Sequence, residues 1–199
     1  MDKAISLWRA GELVAFPTET VYGLGADAAN EEAVARIYAV KSRPSAKAIT
    51  VHVTDVAMAK PYVQWNETAE KLARAFWPGP LTLVLARAKD APLADIVAAG
   101  GETVAVRAPD HALAQALLRA FGAGIAASSA NISGQASPTT AQQVRAELDG
   151  LIPLLIDGGP CSVGISSTVL DLTGPAPAIL RQGSIAQADI DHVLRAAQQ

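Results

Sequence analysis

Lys41, Arg43 and Lys47 put three cations into the short stretch KSRPSAK, and SSANISG at 128–134 gathers hydroxyls, an amide and a glycine after an apolar run. Basic side chains offset phosphate charge, and the backbone N–H groups of a Ser/Asn/Gly turn can cradle phosphate oxygens. An anionic ligand is the chemistry that suits both stretches, with a solvated helix end and a plain polar turn as the ordinary alternatives. A third polar cluster lies in FPTETVYGLGADA, residues 16–28, where Thr18, Glu19 and Thr20 leave an apolar strand before Tyr22 and two close glycines, Gly23 and Gly25. Arg107 closes TVAVR. On an inner strand face its guanidinium needs an anionic or carbonyl partner, whereas an edge position leaves it in water. His52 in ITVHV stands apart from any paired carboxylate, so a structural hydrogen bond is its commoner reading.

Standard alternatives find little support. There is no GxxxxGK[ST] phosphate loop, no GxGxxG after a strand, no HExxH and no GxSxG, and His52, His111 and His192 are far apart. Cys161 is the only cysteine, which rules out an internal disulfide and a cysteine-rich zinc site and fits a reducing cytoplasm. The formal charge of −3 argues against a nonspecific polycation that coats nucleic acid. Charge is nevertheless uneven, because 33–54 and 111–146 contain no acidic residue and carry several basic ones. The N-terminal stretch lacks the apolar core of a secretory signal, and no apolar run approaches the ~18 residues of a spanning helix.

The elements that must position these groups follow from periodicity. Residues 2–10 read as a helix stopped by Gly11, followed by the strand LVAF, 13–16. Asn30 can cap a helix with an acidic first turn and an apolar face at Val34, Ile37 and Val40, ended by Pro44, which places Lys41 and Arg43 at its exit. In ITVHV, Thr50 and His52 share the face opposite Ile49, Val51 and Val53; in TVAVR, Thr103, Ala105 and Arg107 oppose Val104 and Val106. Two strands therefore carry polar groups on one face.

Further on, a helix over about 67–76 ends at WPGP, and LTLVLA follows as a strand. A helix begins at Pro109 or Asp110 and is closed by Gly122, GIAAS is a strand, and Thr140 with Gln143 forms a capping box for a helix to Leu148. Then come LLID, the loop GGPCSVGISS, a hairpin TVLDL-TGPAP-AILR, and a last helix from about Asp189. Alternation of strands and helices together with the hairpin predicts one α/β domain over 1–199, with a twisted mixed parallel/antiparallel sheet flanked by helices. The polar turns sit at strand ends, where open α/β sheets bind ligands, so an open ligand cleft is expected there.

FPTETVYGLG, KSRP, WPGPLT, TVAVRAP, SSANISG, SSTV and LRQG occur in an order and spacing that resembles the YrdC-like family, specifically the threonylcarbamoyl-AMP synthases of the TsaC type, over about residues 11–185. The resemblance implies a nucleotidyltransferase that joins L-threonine, bicarbonate or CO2, and ATP with Mg²⁺ into threonylcarbamoyl-adenylate and pyrophosphate. The product is the first intermediate in threonylcarbamoyladenosine modification of tRNA next to the anticodon, so a tRNA threonylcarbamoyl transferase complex is the implied acceptor and tRNA itself an indirect partner. Carried residue by residue, the family pattern puts threonine at Thr20, His52, Arg107, Ser129 and Ser167, and the nucleotide at Arg43, Lys47, Thr103, Asn131, Thr139 and Arg181. Lys41 and Tyr22 are implied wall members, Lys41 with Arg43 stabilising charge, and no side-chain nucleophile and no protein metal ligand is implied. Gly23 and Gly25 would let the chain pass close to the ligand.

The chain departs from the pattern at Ala48 and Ser128, where proline is usual. Both changes alter loop rigidity more than charge. It reads as the single-domain form, cytoplasmic and without a membrane. The competing readings are carbamoyl adenylation in hydrogenase maturation, for which the length and cysteine pairs are lacking, and an RNA-binding module of the same fold without adenylation.

Overall fold

The structure, a computed structural model, describes residues 1–196. Its sheet is eight-stranded. In chain order the strands are β1 (Val14–Phe16), β2 (Gly23–Asp27), β3 (Thr50–His52), β4 (Leu81–Ala86), β5 (Thr103–Arg107), β6 (Ile125–Ser129), β7 (Thr168–Asp171) and β8 (Ala178–Arg181). They lie side by side as β1-β2-β6-β3-β5-β4-β7-β8. Only β3 with β5 and β4 with β7 pair in parallel; the other neighbours are antiparallel. The mixed sheet is as expected, and the closing hairpin is β7 with β8.

The two faces of the sheet are covered unequally. On one, α2 (Glu31–Lys41), α4 (Glu67–Phe76), α6 (Ala141–Leu148) and α7 (Gln187–Ala196) bury an aliphatic core that reaches Leu24, Val51, Leu83, Val106, Ala126 and Leu170 of six strands. On the other, α1 (Asp2–Arg9) and α5 (Ala112–Phe121) cover only β1, β2 and β6, through Trp8, Phe16, Leu117 and Ile125. The remainder of that second face, on β3, β5, β4 and β7, has no helix over it. There the strand alternation presents Thr50, His52, Thr82, Thr103 and Arg107, which line a cavity.

Local chemistry fixes the helix ends. Asn30 accepts from the Ala33 N–H at 3.0 Å, and Thr140 with Gln143 forms the capping box. Two boundaries differ from expectation. α2 ends not at Pro44 but at Ser42, which adopts a left-handed conformation (φ 49°) and redirects the chain two residues earlier. α5 starts at Ala112 because His111, rather than Pro109 or Asp110, takes the N-cap position and accepts from the Ala114 N–H. LLID touches β1 through a single bridge between Ala15 and Leu155. The short helix α3 (Val56–Ala59), capped by Asp55, has no counterpart in the sequence reading. Among the described residues, no helix is long and apolar enough to cross a membrane.

Candidate active site

The uncovered half of the sheet forms the floor of a cavity of about 360 Å³. Arg107, at the end of β5, is its deepest cation. Arg107 Nη2 donates to Glu19 Oε1 at 2.6 Å, Nη1 to Thr20 Oγ1 at 2.9 Å and Nε to the Gly79 carbonyl at 3.2 Å. A guanidinium has five N–H donors, so three bonds leave two uncommitted. The Glu19 and Arg107 side chains are each only 5% exposed. Glu19 is thus a counter-charge behind the wall, paired with Arg107. Its second oxygen, Oε2, is buried without a partner.

The turn that delivers Thr20 is closed on itself. Thr18 Oγ1 accepts from the Thr20 and Val21 N–H groups at 3.2 Å each, and it lies 2.9 Å from Thr20 Oγ1. Beyond it β2 begins, and its alternation explains the glycines. Gly23 and Gly25 face the same side as Phe16, whose ring lies 3.5 Å and 2.8 Å from where a Cβ would stand on each. Gly23 lines the cavity as expected, while Gly25 makes room for Phe16 and Ile125 and not for a ligand. Tyr22 is one residue out of phase with Gly23 and points into the opposite core. It is fully buried, and its hydroxyl donates to the Gly159 carbonyl at 2.7 Å. The expectation of Tyr22 in the ligand wall is corrected by that alternation.

His52 lines the cavity beside Arg107, its register partner across β3 and β5, and packs edge-on against Phe16 with ring centroids 6.2 Å apart. Burial and then the Arg107 charge push its pKa down to about 3, so the imidazole is neutral. Its Nδ1 has no partner.

Arg43 and Arg181 complete a set of three arginines in the cavity wall, with no acidic side chain in the lining. Arg43 is held by the Lys47 and Ala48 carbonyls at 3.1 Å and 2.7 Å. Arg181 is held by the Ser167 carbonyl, reached by Nε at 3.2 Å and Nη2 at 2.9 Å. Burial lowers the pKa of all three, and for Arg181 the charges of Arg107 and Arg43 lower it further. The cavity is therefore a shared positive field with Glu19 as its one close counter-charge, a setting that favours a polyanion.

Of the expected site residues, Thr20, Arg43, His52, Thr103, Arg107, Ser129, Ser167 and Arg181 all line this one cavity. Lys41, Lys47, Asn131 and Thr139 do not. Lys41 is buried behind the wall, where its ammonium donates to the Ser129 and Asn131 carbonyls and fixes the SSAN turn; burial and Arg43 push its pKa down to about 8. Asn131 orders the next turn through the Ile132 and Gln135 carbonyls at 2.9 Å and 2.8 Å. Lys47 is exposed beside the cavity, and Thr139 is bonded to Gln143. Thr82, Val84, Val169 and Leu180 also line the cavity. Thr82 and Val84 were readable from LTLVLA, since they oppose Leu81, Leu83 and Leu85 in the alternation.

Comparison with known proteins gives one consistent answer. The family model Telomere recombination, for the Sua5, YciO and YrdC proteins, matches residues 6–183. The chain is 49% identical over 193 residues to the threonylcarbamoyl-AMP synthase of Bacillus subtilis (strain 168), a match that covers 96% of this chain and 56% of that protein. It is 40% identical over 192 residues to a putative threonylcarbamoyl-AMP synthase of Mycobacterium tuberculosis (strain ATCC 25618 / H37Rv), covering 96% and 87%. Among solved structures, P. abyssi Sua5 complexed with L-threonine superposes with a TM-score of 0.93 at 44% identity, covering 96% of this chain and 56% of that one. The chain thus spans about half the length of the Bacillus and Pyrococcus proteins it matches.

Proposed function

This chain belongs to the Sua5/YciO/YrdC family, and from that premise we propose that it makes threonylcarbamoyl-AMP from L-threonine, bicarbonate or CO2, and ATP, with release of pyrophosphate. One observation carries the reading: a single cavity gathers Thr20, His52, Arg107, Ser129 and Ser167 together with Arg43, Thr103 and Arg181, with no acidic side chain in its lining. An amino acid and a triphosphate would meet in such a space.

In the proposed reaction the threonine amine, after losing a proton, adds to CO2 to give a carbamate. A carbamate oxygen then bonds to the α-phosphorus of ATP, and the bond to pyrophosphate breaks. No side-chain nucleophile is required. The two uncommitted N–H groups of Arg107 would take the threonine carboxylate, and neutral His52 would border it without adding charge. Arg43 and Arg181 would offset phosphate charge as it shifts toward the leaving group. Lys41 and Asn131 would act from behind the wall by holding the SSAN turn, with Lys47 and Thr139 at the rim. Holding three reactants together is the greater part of the work.

Among the described residues no group of three or more His, Cys, Asp or Glu could hold a metal ion. Mg²⁺ would enter this scheme as part of the substrate, on the ATP phosphates. The product would pass to a separate transferase that modifies tRNA. The test is pyrophosphate release measured with threonine and bicarbonate omitted in turn. Release that requires both is the expected result, and release indifferent to threonine would overturn the assignment.

A further inference from the structure

Thr82 Oγ1 and Ser167 Oγ lie 2.8 Å apart in the cavity wall, and both residues are buried. Arg181 Nη2 donates to the same Ser167 Oγ at 3.1 Å and to the Ser167 carbonyl at 2.9 Å. Each hydroxyl has one proton to give and two lone pairs to receive. The two hydroxyls therefore hold two protons, of which one closes the bond between them. Among the described residues neither hydroxyl has another partner, so the second proton has no acceptor in the protein.

Which oxygen holds that free proton depends on the direction of the shared bond. If Ser167 donates to Thr82, the free proton is on Thr82. If Thr82 donates to Ser167, both lone pairs of Ser167 are filled, by Thr82 and by Arg181, and its proton can go only to a ligand. The second arrangement is the stronger donor, since hydrogen bonds received by a hydroxyl polarise the one it gives.

We propose that Thr82 is a positioning residue that turns the Ser167 hydroxyl proton towards bound threonine and keeps Ser167 seated on Arg181. This rests on the reading above that Ser167 holds threonine. Thr82 sits on β4 opposite Val169 of β7, so its placement is fixed by the sheet and not by a loop. Its hydroxyl is surplus to the fold: no backbone group bonds it, and a valine of the same shape would fill the space.

The experiment is steady-state pyrophosphate release by the wild type, Thr82→Val, Thr82→Ser, Ser167→Ala and the double variant Thr82→Val/Ser167→Ala, with thermal melting to confirm folding. Thr82→Val should raise the threonine KM roughly tenfold, the worth of one well-made hydrogen bond, with kcat and the ATP KM within about twofold of wild type. Thr82→Ser should restore the threonine KM to within about threefold, and Thr82→Val should add nothing on the Ser167→Ala background. Should Thr82→Val fail to fold, Thr82→Ala carries the same comparison. An unchanged threonine KM in Thr82→Val, a serine variant as impaired as valine, or a full additional loss on the Ser167→Ala background would each overturn the inference. Those results in a threonine-dependent wild type remove only the role of Thr82. A wild type that releases pyrophosphate without threonine removes the proposed function and this inference with it.

Discussion

Removing the Glu19 carboxylate should cost this protein a large part of its stability, because it leaves Arg107 charged and alone inside the chain. Exposed ion pairs are worth only ~0–1 kcal/mol, since water screens each partner when the other is lost. That discount does not apply here. The two side chains are 5% exposed, the contact is 2.6 Å, and Glu19 Oε2 is buried without a partner. Breaking a buried pair from one side costs about 3–5 kcal/mol, against a total stability on the order of 5–15 kcal/mol for a folded domain. With a urea m-value near 2 kcal/mol per molar, Glu19→Ala should lower the unfolding midpoint by roughly 1.5–2.5 M. Glu19→Gln, which keeps a hydrogen-bond acceptor but not the charge, should fall between that variant and wild type. Replacing the pair together, as Glu19→Leu/Arg107→Met, should recover most of the loss, because a buried pair exchanged for apolar groups is often neutral or stabilising. Under the proposed function the double variant should nonetheless lose threonine-dependent pyrophosphate release. A Glu19→Ala midpoint within about 0.5 M of wild type, or a double variant no more stable than Glu19→Ala, would refute the account of Glu19 as the counter-charge that keeps Arg107 in place.

His52 and Gly25 supply two further tests. The folded pKa of His52, about 3, lies below its ordinary value of 6.5, so between those values the unfolded chain binds a proton that the folded chain refuses. Stability from this group is present above pH 6.5 and falls as pH drops, by about 2 kcal/mol at pH 5; His52→Asn should flatten the slope between pH 7.5 and 5.0 by that amount in urea titrations, and equal slopes would count against burial of a neutral imidazole. A methyl group on Gly25 would stand 2.7 Å from Ile125 Cγ2 and 2.8 Å from Phe16 Cε1. Gly25→Ala should therefore cost ~1–3 kcal/mol and lower Tm by about 3–10 °C in calorimetry, while an unchanged Tm would show that the aromatic cluster of Trp8 and Phe16 yields freely.

What was legible in the sequence is what strand alternation encodes. Thr103 with Arg107, and Thr50 with His52, were placed on shared faces by a period of two, and both faces prove to be cavity floor. Tyr22 was placed in the wall by the family resemblance alone; β2 turns it instead into the core opposite Gly23, and the Thr18 turn that sets this phase follows no spacing rule. Glu19 could not be assigned because its partner lies 88 residues away on β5. The cleft itself arises from the absence of a helix over β3, β5, β4 and β7, which depends on where α1 and α5 dock and not on any local stretch of chain.

The orientation of the cations was hidden for a further reason. Each is aimed by backbone carbonyls: Lys41 by Ser129 and Asn131, Arg43 by Lys47 and Ala48, Arg107 by Gly79, and Arg181 by Ser167. A carbonyl is present at every residue, so no motif marks it. It also differs from a carboxylate in its effect, because it fixes the direction of an N–H group without cancelling the charge that the group carries. Had four carboxylates held these four side chains, the site would be rigid but neutral and would gain nothing from an arriving anion. With carbonyls in their place the cost of confining the cations is met in hydrogen bonds, and the attraction is left for the ligand. Glu19 is the exception, at the arginine buried deepest in the wall, where burial without any counter-charge would be hardest to sustain.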